Sequence, residues 1–249
     1  MRNRMIPYFS LAKSEEHKQA DIVVFGDIVS KGAVWWDEIF PADVNAYDLT
    51  AQLADIPDDY EITVHINSNG GEVKEGLAIY NALKTRNVTT VCEGFAASAA
   101  SLVFMAGKRR VMNAASLLFI HQAMTSASGN PDELEKAASD LRTITEAAAN
   151  AYKEGGVTCS EEKLAEMLRA ETWLTAEDAL RYGFATEIAD SDTAEGVVTN
   201  DAMQSVIAAV TRKTPLEDIT ARLERTVSAL TAAGKPAENK GFFGLGGQK

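Results

Sequence analysis

VTTVCEGFAASAASLVFMAG, from Val88 to Gly107, changes its period midway, and that change decides the fold. The β-branched run Val88, Thr89, Thr90, Val91 predicts a strand. Beyond Gly94 the spacing of Ala97, Ser101, Phe104 and Met105 predicts a helix, with a tight turn between the two elements. Ser98 then falls in the first turn of that helix, where unpaired N–H groups and the positive end of the macrodipole favour a developing negative charge. Its neighbours Ala96, Ala97, Ala99 and Ala100 are small enough for a second backbone or a substrate to come close. A serine at an alanine-rich helix start can equally be a plain N-cap, so the stretch alone leaves nucleophile and cap both open.

The segment before it repeats the pattern. A strand over Ile62–Ile66 runs into Asn67, Ser68, Asn69, Gly70, Gly71, and a helix follows with Val73, Leu77, Tyr80 and Leu83 on one face. Strand, glycine turn and helix, twice over, predict an α/β fold with parallel strands, crossover helices and a ligand site at the carboxyl ends of the strands. An earlier buried strand, Ile22 to Phe25, ends at Gly26. Trp35, Trp36, Ile39 and Phe40 fall in a loop, and Val44, Tyr47, Leu49 and Leu53 in a short helix that Pro57 closes. Downstream, strands are expected at Arg110–Met112 and Leu117–Ile120, with a looser stretch over Thr125–Gly129. Asn130, Pro131 and Glu133 open a long helix with Leu134, Leu141, Ile144 and Tyr152 on one face, stopped by Gly155 and Gly156. Thr158 with Glu161 starts another helix, a further helical turn spans Ala176–Tyr182, and a last strand spans Phe184–Ile188.

From Asp190 the composition turns to Ser, Asp, Thr, Glu and Gly, which predicts a linker and divides the chain into residues 1–190 and 191–249. The second part has two helical stretches, Asn200–Lys213 and one opened by Thr214, Pro215 and Glu217, but too few apolar residues for a core of its own. Its end, GFFGLGG, is expected to be flexible, yet suits a docking peptide.

A net charge of −12 and a pI near 4.8 argue against nucleic-acid binding, which needs clustered Lys and Arg, and favour protein partners. Cys92 and Cys159 form neither a CxxC pair nor a metal-ligand spacing, so no metal is expected. No apolar run suits a signal peptide or a membrane span, which predicts a soluble cytoplasmic protein without membrane contact.

A nucleophilic serine needs a base, and the candidates are His17, His65 and His121. His17 sits in a polar stretch. His65, between Val64 and Ile66, reads as a structural histidine of a buried strand. His121 follows Leu117–Ile120 and emerges where a strand leaves the core, on the edge expected for Ser98. Acyl transfer also needs preplaced oxyanion donors, for which the backbone of Gly70 and Gly71 and the amide of Ala99 are placed on that edge.

INSNGG before a helix with GLAIYNAL, GFAAS at a strand-to-helix turn, and FIHQ some twenty residues on together resemble the ClpP family of self-compartmentalising serine peptidases. WW near the N-terminal loop, the AASAAS string and ETWLTAEDALRYG are most similar to its members that act as head maturation proteases of tailed phages. The resemblance covers about residues 20–190. It implies a ClpP/crotonase-like fold of repeated β-β-α units with a mainly parallel sheet, plus the helical extension. It also implies Ser98 as nucleophile, His121 as general base, Glu171 as the orienting acid and oxyanion amides at Gly70 and Ala99, with no cofactor. Two departures stand out: Asn69 replaces the usual proline of the glycine turn, and the acid is a glutamate where the bacterial enzymes have aspartate. The expected partners are protein or peptide substrates, including phage scaffold or capsid proteins, further copies of the chain in a ring, and an unfoldase ATPase. The helix from Pro131 would be the handle through which two rings pack. Competing expectations are a housekeeping proteolytic subunit fed by an ATPase, a crotonase-like acyl-CoA enzyme and a silent assembly protein.

Overall fold

A forked strand organises the sheet. In the computed structural model, which describes residues 9–30 and 44–189, β4 (Val88–Ala97) pairs in parallel with β5 (Arg109–Asn113) through Thr89–Cys92. It then pairs in parallel with β6 (Leu117–Ile120) through Phe95–Ala97. The main ladder runs β1 (Phe9–Ser14), β2 (Gln19–Ile28), β3 (Glu61–Gly71), β4, β5, β8 (Glu187–Ala189), and is parallel except for the β1–β2 hairpin. β7 (Thr172–Leu174) adds to β6 in antiparallel fashion. The helices are α1 (Ala46–Ala54), α2 (Val73–Leu83), α3 (Ala99–Met105), α4 (Pro131–Glu154), α5 (Glu161–Arg169) and α6 (Ala176–Arg181). The α/β fold with a mainly parallel sheet is therefore as expected.

One sheet face carries the core. Ile22, Val24, Ile62, Val64, Ile66 and Cys92 alternate onto it and pack with Ile79 and Leu83 of α2 and with all of α3, each at most 4% exposed. Fully burying a side chain of this size contributes ~1.5–3 kcal/mol. Arg110 is buried as well. With Nε and both guanidinium nitrogens it donates to the carbonyls of Phe184, Gly107 and Gly183, tying the turn before β5 to the chain before β8. The helix from Pro131 has the predicted capping box, Asn130 and Glu133 each accepting from the other's backbone.

Several expectations shift. β1 was not foreseen: its six residues, FSLAKS, are too few for their apolar alternation to stand out, though Leu11 packs against the core. β3 does not stop at Ile66 but runs through Gly71, with Asp27 opposite Gly70 and Ile28 opposite Gly71. Only glycine allows this approach: Gly71 has φ +144, and a Cβ there would stand 2.0 Å from Ile28 O. β4 likewise continues through Gly94 to Ala97, so α3 starts one residue after Ser98. Ser160, not Thr158, caps α5, and its side chain accepts from the Lys163 amide. Phe184 and Ala185 enter the core instead of a strand, and the last strand begins at Glu187. The face of α4 named above is buried within the chain only near its end, at Ala148, Ala151 and Tyr152, whereas Leu134 and Ile144 are exposed. Trp35, Trp36, Ile39, Phe40, the boundary at 190 and the extension 191–249 lie outside the described residues.

Candidate active site

Ser98 occupies the joint between β4 and α3 with φ 53 and ψ −123, a backbone region that side chains disfavour. Its side chain makes no capping hydrogen bond, which removes the plain N-cap interpretation. Instead Ser98 Oγ lies 2.6 Å from His121 Nε2. The pairing of β4 with β6 explains the meeting: Ala97 is opposite Phe119, the Ser98 amide donates to Phe119 O at 2.9 Å, and His121 follows two residues later. Ser98 and His121 thus leave two adjacent parallel strands at the same end.

The imidazole is braced from one side. Phe119 stacks on His121 with ring centroids 5.2 Å apart and planes 22° apart, and Trp173 of β7 packs on Phe119 at 4.5 Å. Phe95 completes the group at 5.3 Å from Trp173. These contacts were not legible in the sequence, since a stack across three strands has no local signal. Beyond His121 the Gln122 amide donates to Leu168 O and the Ala123 amide to Thr145 Oγ1 of α4.

Glu171 precedes β7 with φ 52 and an exposed side chain. The β6–β7 register ends at the pair Ile120–Thr172, so Glu171 and His121, the residues next to that pair, lie at the same end of the ladder. The backbone thus brings Glu171 near His121, but no hydrogen bond joins the two side chains.

The glycine turn packs directly on Ser98. Gly70 has φ +94, and a Cβ on it would stand 2.7 Å from Ser98 Cβ and 2.8 Å from the Ala99 nitrogen. Gly70 is thereby packed against Ser98 and Ala99, whereas Gly71 packs against Ile28 of β2. The Gly70 amide itself donates to the buried Ser68 Oγ at 3.0 Å, and Ser68 donates to Gly26 O. A donor role for Gly70 would require that bond to be given up.

The other histidines lie elsewhere. His17 is in the exposed β1–β2 turn. His65 is buried, its Nδ1 2.7 Å from Glu93 Oε1 and its Nε2 3.5 Å from Asp21 Oδ1, the latter an electrostatic contact too long for a good hydrogen bond. Burial pushes its pKa down, but the two carboxylates outweigh burial and raise it to about 9. Glu93 also accepts from Asn113 Nδ2, so His65 belongs to a structural polar cluster. Burial pushes the Cys92 thiol up to about 11, as suits an unreactive core residue. Among the described residues no three His, Cys, Asp or Glu side chains cluster as a metal site would require, and no helix is long and apolar enough to cross a membrane.

The relatives share the region that carries this geometry. The chain is 31% identical over 153 residues to the ATP-dependent Clp protease proteolytic subunit of Bacteroides fragilis, covering 59% of this chain and 73% of the relative. It is 32% identical over 134 residues to the subunit of Deinococcus radiodurans, covering 52% and 65%, and 36% identical over 155 residues to subunit 2 of Streptomyces coelicolor, covering 59% and 70%. The sequence model of the Clp protease family matches residues 40–192, which include Ser98, His121 and Glu171, and the chain belongs to that family.

Proposed function

We propose that the chain is a serine endopeptidase that cleaves peptide bonds through an acyl-enzyme, with Ser98 as nucleophile, His121 as general base and Glu171 as orienting acid. The observation that carries this is the 2.6 Å contact between Ser98 Oγ and His121 Nε2 at an uncapped, left-handed serine. In the first step Ser98 Oγ attacks the peptide carbonyl carbon while His121 Nε2 takes the hydroxyl proton, and the oxyanion is met by the Ala99 amide and the glycine pair. The imidazolium then protonates the departing amine. A water, deprotonated by the same nitrogen, attacks the ester carbonyl and Ser98 is released. A crotonase-like acyl-CoA reaction would leave the Ser98–His121 pair without a role.

The enzyme works in a ring-shaped homo-oligomer, for which the exposed apolar residues Leu134 and Ile144 on α4 give a contact surface. Its substrates are phage scaffold or capsid proteins. The AASAAS and ETWLTAEDALRYG strings favour this reading, as does the length of chain that follows the matched region, which would tether the protease to an assembly partner. A second reading, an ATPase-fed subunit, is favoured by the names of the relatives, which are ATP-dependent.

The test is a fluorophosphonate probe with wild type, Ser98→Ala and His121→Ala, followed by co-expression with phage head proteins or with an unfoldase ATPase. Ser98→Ala and His121→Ala should each lower peptide hydrolysis by at least ~10³-fold with the fold retained. An unlabelled but correctly folded wild type would mean a silent assembly protein. Cleavage of head proteins without ATP supports the phage reading, and cleavage only with the ATPase supports the second.

A further inference from the structure

The carbonyl of Ser98 is held from the core by a chain of two hydroxyls. Ser101 Oγ lies 2.6 Å from Ser98 O and 2.6 Å from the Tyr152 phenol oxygen. A carbonyl only accepts, so the Ser101 proton points to Ser98 O, and the Tyr152 hydroxyl must donate to Ser101 Oγ. The Ser101 amide also donates to Ser98 O, at 2.9 Å, which fills that oxygen's second lone pair. Tyr152 is a fixed anchor at the end of α4: it is 2% exposed and its ring packs edge-on to the fully buried Phe184. Burial pushes the phenol up to about 12, so it keeps its proton.

A rigid unit links this chain to the reaction. Ser98 C=O and Ala99 N–H belong to one planar trans peptide and point in opposite directions. Fixing the oxygen therefore fixes the direction of the Ala99 N–H, the donor expected at the oxyanion. On the other side the Ser98 amide is fixed by Phe119 O. Between these two ties Ser98 sits at φ 53, a strained backbone conformation that persists only where surroundings hold it.

We propose that Tyr152 and Ser101 are positioning residues that aim the Ala99 amide at the oxyanion by holding the Ser98 carbonyl. This rests on the assignment of Ser98 as nucleophile. Neither residue touches substrate, so binding of the ground state is unaffected and the effect falls on the transition state.

The experiment compares wild type, Tyr152→Phe, Ser101→Ala and the double variant in the full chain. It measures kcat and KM on a peptide, inhibition by a peptide boronate whose tetrahedral oxygen occupies the oxyanion site, and thermal stability. Each single variant should lose about tenfold in kcat and in boronate affinity with KM within about twofold, the loss of one hydrogen bond read at the transition state. The double variant should be no worse than Ser101→Ala, since Tyr152 acts only through Ser101. If Ser101→Ala does not fold, Tyr152→Phe, which removes a single oxygen, carries the test. Wild-type kcat and boronate affinity in Tyr152→Phe would overturn the proposal, whatever its melting temperature, and so would losses that multiply in the double variant. Ser98→Ala is run alongside: full activity there would overturn the nucleophile assignment instead.

Discussion

Gly70 lies against Ser98 so closely that a side-chain carbon on it would stand 2.7 Å from Ser98 Cβ and 2.4 Å from Ala97 O. The glycine turn of one strand and the serine at the end of the next are thus one packed unit, and a Cβ at Gly70 would push at Ala97, Ser98 and Ala99 together. Its φ of +94 adds strain for any other residue. Gly70→Ala should lower kcat/KM by about 10²-fold, the range for a small displacement of reacting groups, because the added Cβ would push Ser98 and the Ala99 nitrogen out of place. Peptide hydrolysis and circular dichroism together check this; wild-type activity in a folded variant would show that the turn can move away freely.

Glu171→Gln should be milder than His121→Ala. Glu171 and His121 both lie next to the last β6–β7 pair, but the ring is also braced by Phe119 and Trp173, so part of its orientation survives without the carboxylate. The expected loss is about 10–10³-fold in kcat, below the ~10⁴-fold seen when a triad acid fixes the tautomer alone. Asp140→Asn and Asp178→Asn are the controls, because Asp140 pairs with Lys136 and Asp178 with Arg181 and the cap of α6. Should either control lose activity while Glu171→Gln keeps it, the acid is misassigned.

His65 should make the protein less stable in mild alkali. Its folded pKa, about 9, lies above the unfolded value near 6.5, so its contribution is complete below pH ~6.5 and is lost as pH rises through about 9. The urea midpoint of wild type should fall between pH 6.5 and 9.5, and His65→Gln should remove this part of the fall. Identical pH profiles in the two proteins would show that the Asp21 and Glu93 contacts do not hold the proton.

Leu134 and Ile144 on the exposed part of α4 should be covered by another copy of the chain. Light scattering should give a multimer for wild type and smaller species for Leu134→Glu combined with Ile144→Glu, since a buried unpaired charge is costly. A monomeric wild type that hydrolyses peptide would contradict the ring.

The alternation of period along Val88–Gly107, the two glycine turns and the capping signals around Asn130 were enough to specify an α/β chain and the placement of most of its elements. Those features are local: hydrophobic periodicity, capping and the demand for glycine act within a few residues and leave their mark on the string. His121 could be singled out as the candidate base because a polar residue directly after a buried strand must emerge at the strand's end. Only the tertiary structure decided that Ser98 is uncapped and left-handed, that β4 forks so that His121 meets it, and that Gly70 gives its amide to Ser68. It alone revealed the Phe119–Trp173 brace and the Tyr152–Ser101 chain, whose members lie 54 and 51 residues apart. Such contacts depend on strand register and on helix docking across the whole chain. A sequence window encodes the propensity of each element but not the register in which distant elements meet.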